Sequence, residues 1–136
     1  MKTIAPLSKV QYGIYAECVG HIGEVCYNLP YLYYLDRSLD GKRLCWAIET
    51  IVKDHPTLFT RIELNGDGEP MQLIDMENEC WSLEIEDVDD IEKKKQELVV
   101  PFNIYGDRLF HIRLLRDDYH YYLFIDYHHI IIDGTA

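Results

Sequence analysis

The residues best suited to chemistry form one run near the end of the sequence: Tyr127-His128-His129-Ile130-Ile131-Ile132-Asp133-Gly134. A neutral imidazole accepts a proton, or holds a polar hydrogen in place, near physiological pH. Adjacent side chains of a strand point to opposite faces, so His128 and His129 cannot both serve one cavity. One is the working group, and the other packs or braces the strand end. Asp133 follows His129 by four positions, so a turn at the isoleucine run would fold its carboxylate back beneath the histidines. There it would fix the bend through an ion pair, while Gly134 permits a backbone conformation that a side chain resists. A metal site is disfavoured, because strand neighbours diverge and no third ligand is spaced nearby. A bare His-His pair is weak evidence, whereas H-H-x-x-x-D-G at a strand end is far more specific.

Elements that could deliver such a strand end are legible upstream. RLFHIRLLRD and HYYLFIDYHH read as two strands joined by a tight turn at DDY, a hairpin set in the middle of a sheet. PLSKVQYGIYAEC reads as a short helix that Ser8 caps, with Gln11 completing a capping box. YNLPYLYYLD reads as a strand, and Asp40 caps a helix whose Leu44, Ile48, Ile51 and Val52 recur at helical spacing. LFTRIEL and PMQLID are strands around the turn NGDGE, WSLEIEDV is another short strand, and a third helix runs from near Asp89 to Val100. This order predicts an α/β fold: an open α/β sandwich whose mixed, largely antiparallel sheet has helices packed on one face.

The chain has 136 residues, 48% hydrophobic and 27% charged, which fits one globular domain. Its net charge of −11 excludes a nucleic-acid partner, since phosphate binding needs clustered cations, and disfavours an acidic membrane surface. No stretch approaches the length of a membrane helix. Cys18, Cys26, Cys45 and Cys80 form no C-x-x-C pair and lie among apolar residues. That pattern favours reduced, partly buried thiols in a cytoplasmic protein.

HHIIIDG resembles the H-H-x-x-x-D-G motif of the condensation domains of nonribosomal peptide synthetases, members of the chloramphenicol acetyltransferase-like superfamily. Three further stretches are similar to that family in the same order. Ser8, Gln11 and Tyr15 match its opening helix; His55, Leu58, Thr60 and Arg61 its second motif; and Pro101, Phe102, Asn103 and Ile104 its Pro-Phe-Asp-Leu segment. The sequence departs from the pattern at Asp54 and Phe59, where arginines are usual, and at Asn103, where aspartate is common.

The resemblance implies a chloramphenicol acetyltransferase-like half-domain: residues 1–136 as the N-terminal subdomain, ending just after the motif, with a second lobe supplying the other wall of a tunnel. It implies an acyltransferase that joins carrier-bound acyl or aminoacyl thioesters into an amide. The second motif histidine, His129, would act as base or amine-orienting group in the tunnel, with His128, Asp133 and Gly134 supporting it. The family often pairs the motif aspartate with an arginine, for which Arg61 and Arg113 are the candidates here. No cofactor is expected to bind directly; the phosphopantetheine arm arrives on peptidyl or acyl carrier domains, and an adenylation domain is a further expected partner. Two other functions remain open: a free-standing acyltransferase using coenzyme A or one carrier, and a non-catalytic interaction module.

Overall fold

The computed structural model describes residues 2–132. In chain order the elements are β1 (Lys2–Pro6), α1 (Lys9–Val19), β2 (Asn28–Asp36), α2 (Gly41–Lys53), a 3-10 turn at Pro56–Phe59, β3 (Arg61–Leu64) and β4 (Pro70–Asp75). A second 3-10 turn at Met76–Asn78, then β5 (Ile85–Asp87), α3 (Ile91–Leu98), β6 (Phe110–Arg116) and β7 (His120–His128) follow. The strands form a three-stranded sheet, β1-β4-β3, and a four-stranded sheet, β2-β7-β6-β5. All pairings are antiparallel except β5 with β6, so the mixed, largely antiparallel α/β class is the one expected. β1 is an addition.

The hairpin β6–β7 occupies the centre of the larger sheet, with β2 outside β7 over the register Asn28↔His128 to Asp36↔His120. Its turn closes because Asp117 Oδ1 accepts hydrogen bonds from the Tyr119 and His120 amides, each at 2.8 Å. Alternation then divides the side chains of β7. Tyr121, Leu123, Ile125 and Tyr127 join Leu44, Ile48 and Val52 of α2 in the main core, with Phe59, Trp81 and Phe110. Tyr122 and Phe124 meet Ile91 and Leu98 of α3 in a second cluster. Thus α2 and α3 cover opposite faces of this sheet, and the expected placement of helices on one face is corrected. A strand apolar on both sides needs a cover on both.

A third cluster joins the two sheets at the histidine end. Ile14 of α1 packs with Ile62 of β3, with Ile104 and Leu109, and with Ile130 just beyond β7. The helix starts where the sequence says: Ser8 Oγ accepts from the Gln11 amide while Gln11 Oε1 accepts from the Ser8 amide. The Asp40 cap of α2 is likewise present. The four cysteines are free, Cys18 and Cys45 half-buried but Cys26 and Cys80 exposed, so the partly buried reading holds for only one pair.

Candidate functional site

Strand β7 ends at His128, and the chain then turns through His129–Ile131. The His128 amide donates to Leu109 O and the His129 amide to Tyr27 O, both at 2.9 Å. These bonds pin the strand end between β6 and the segment leading into β2. From α1, Gln11 Nε2 reaches across to donate to Ile130 O at 3.1 Å. The residue that completes the helix cap therefore also holds the turn carrying the motif.

The two histidines sit in opposite surroundings. His128 is buried, and its Nδ1 accepts the Ile130 amide at 3.1 Å. That leaves the proton on Nε2, which lies 3.4 Å from Cys18 Sγ. Tyr27 stacks on the ring at 6.1 Å and Phe102 meets it edge-on at 6.0 Å. Burial, helped by the neighbouring His129, pushes its pKa down to about 4. The ring is thus a neutral, fully engaged brace at physiological pH.

His129 is half-buried, with Tyr27 edge-on at 6.3 Å. Its Nδ1 is buried and has no hydrogen-bond partner among the described residues. The cavity beside the motif, about 230 Å³, is walled by Cys18, Cys26, Tyr27, Asn28, Phe102 and His128 among others. It opens on the side of His128, and His129 is not part of its wall. Asp133 and Gly134 lie outside the described residues.

Both arginines named as possible partners of Asp133 hold other carboxylates. Arg61 forms a forked pair with Glu79 at 3.0 and 3.1 Å and donates to Gly106 O at 2.8 Å. Arg108 adds a bond to the same Glu79 at 3.0 Å. Burial acts to raise the Glu79 pKa, but the two guanidiniums outweigh it and hold the carboxyl below the usual range. Arg113 pairs with Glu86 at 2.6 and 2.8 Å. His55 Nδ1 lies 2.7 Å from Ile51 O and closes the end of α2.

Sequence reasoning missed a polar cluster behind His128. Asp126 and His111 face each other across β7 and β6, and Asn28 bonds Asp126. The available signal was an aspartate inside an otherwise apolar strand, directly in phase with His128.

A family model described as Condensation domain matches residues 1–136, and the chain belongs to that family. Among curated relatives, tyrocidine synthase 3 of Brevibacillus parabrevis is 36% identical over 115 residues, covering 82% of this chain and 2% of that protein. Surfactin synthase subunit 1 of Bacillus subtilis (strain 168) is 32% identical over 133 residues, covering 96% of this chain and 4% of that protein. The chain thus spans only a small part of the length of these relatives. The crystal structure of the starter condensation domain of rhizomide synthetase RzmA superposes with a TM-score of 0.81 at 22% identity, covering 98% of this chain and 34% of that one. The four-domain nonribosomal peptide synthetase AB3403 gives 0.71 at 22% identity, covering 96% of this chain and 10% of that one.

Proposed function

We propose that this chain is the N-terminal subdomain of a condensation domain in a nonribosomal peptide synthetase, and that His129 serves its amide-forming step. An acyl or peptidyl thioester arrives on the phosphopantetheine arm of one carrier domain, and an amine arrives on another. The amine nitrogen attacks the thioester carbonyl, a C–N bond forms, and the C–S bond breaks to release the carrier thiol. His129 accepts the proton lost by the nitrogen, or orients the amine through a hydrogen bond from it. The carrier domains and a second lobe completing the tunnel are the partners of this reading, with an adenylation domain in the same synthetase. Free thiols, two of them exposed, accord with the reducing cytoplasm.

The observation that carries the assignment is the division of labour in the pair. His128 has both ring nitrogens engaged and is neutral, whereas the His129 ring has a buried nitrogen with no partner among the described residues. Asp133 and Gly134 are assigned the bend beneath, and Arg61 supports the lobe through Glu79 rather than through the ring. The test is His129→Ala in the complete condensation domain, measuring amide formation between carrier-bound substrates. A fall of ~10²–10⁴-fold with folding unchanged is expected. Unchanged transfer would leave a non-catalytic interaction module as the better reading.

A further inference from the structure

The carboxyl of Asp126 is fully buried, at 0% exposure. It lies two residues before His128, on the same face of β7. Its Oδ2 accepts one hydrogen bond, from Asn28 Nδ2 at 2.9 Å, and its Oδ1 has no partner among the described residues. The Leu29 amide also acts on this carboxyl as a weak backbone donor that favours its charged form, but burial outweighs both donors. The same Asn28 Nδ2 donates to Val100 O at 2.9 Å. One side chain therefore joins β7, the head of β2 and the connector that follows α3.

Among the described residues no cation is bonded to this carboxyl. On β6 it faces His111, whose ring stacks on Phe102 of the connector at 4.4 Å. Arg113 on β6 is held by Glu86, and Arg108 in the preceding loop by Glu79. His128 follows on its own strand, while β2 and the connector offer only Asn28 and backbone. An ionised carboxylate so placed would bear a desolvation penalty that one neutral amide donor does not offset.

We propose that Asp126 sits in the lobe as a neutral carboxylic acid and is a positioning residue for the histidine pair, fastening the connector and the head of β2, through Asn28, to the strand that delivers His128 and His129. Its service to His129 rests on the condensation reading; its protonation and the fastening do not. Burial acts in the same sense on both facing groups, raising the Asp126 pKa and lowering that of His111, and so favours the neutral form of each. A carboxyl whose folded pKa exceeds its unfolded value binds its proton more tightly in the native state. Stability is then full below the unfolded value and falls as pH rises toward the folded one.

Carbon-13 NMR of this chain, labelled at aspartate, reads the carboxyl directly in the unmodified protein. Asp126 is expected to keep its proton at a pH where the exposed aspartates have lost theirs, and a midpoint at or below the ordinary ~3.9 would overturn the neutral acid. Asp126→Asn, which keeps shape and acceptor, is expected to remove this opposing contribution, so that stability rises more steeply with pH than in the unmodified protein; an unchanged slope counts against the proposal. Asn28→Ala tests positioning: the imidazole signals of His129 should shift in this chain, and kcat of the complete condensation domain should fall ~10–100-fold with KM unchanged. If the His129 signals stay where they are, Asp126 and Asn28 do not position it. Because the NMR readouts need no turnover, failure of the catalytic reading would appear separately, as full activity in His129→Ala.

Discussion

Burial makes His128 a pH-sensitive residue of the motif. His128 has a folded pKa of about 4 against an ordinary 6.5, so the unfolded chain takes up its proton first as pH falls. Its contribution to stability is whole above about pH 6.5 and is lost as pH drops toward 4, by up to about 3 kcal/mol. Urea unfolding across that window should show the loss, and His128→Asn should flatten it. Glu79 is a second sensitive point, since Glu79→Ala leaves Arg61 and Arg108 facing each other. Both arginine side chains are 29% exposed, so the expected cost is about 2 kcal/mol, short of that for a fully buried pair. The alternation rule already said that one histidine of the pair must brace. Its partner Cys18 stands 110 positions away, a contact that only the assembled fold creates.

Element by element, the caps and turns were the most legible part. Ser8, Gln11 and Asp40 act locally, and local hydrogen bonds follow from local sequence. Ser8→Ala should cost about 1 kcal/mol of stability by thermal unfolding. Gln11→Ala should disturb more than α1, because it also releases the carbonyl of Ile130 in the motif turn. At the start of α2 the packing is close. A methyl group on Gly41 would come within 2.6 Å of Ile85 Cδ1 and 2.7 Å of Tyr121 Oη. Gly41→Ala is therefore expected to lower stability by ~1–3 kcal/mol. Strand β1 escaped notice because KTIAP is short, mostly exposed and ends in proline. The cover on both faces of β7 was readable in principle: in HYYLFIDYHH, side chains of both phases are large and apolar from Tyr121 to Ile125.

For the whole molecule, charge and edges matter together. A net charge of −11 keeps copies apart at neutral pH, and the isoelectric point lies near 4.8. Strand β2 is an outer strand with Tyr31, Tyr33 and Tyr34 exposed. Light scattering should rise sharply as pH approaches the isoelectric point, where the loss of His128 stabilisation compounds the loss of repulsion. The extent of the family match was legible from motif order alone, whereas the pairing of the motif aspartate was not, because an arginine's partner depends on which loops meet. The register of β2 against β7 has one more consequence. Asn28 and Asp126 are 98 positions apart, so a growing polypeptide exposes its tyrosine-rich strand to water long before the ribosome has made the neighbour that will shelter it. Chaperone capture of nascent chains, mapped by arrest at successive lengths, should persist until that neighbour emerges and then cease.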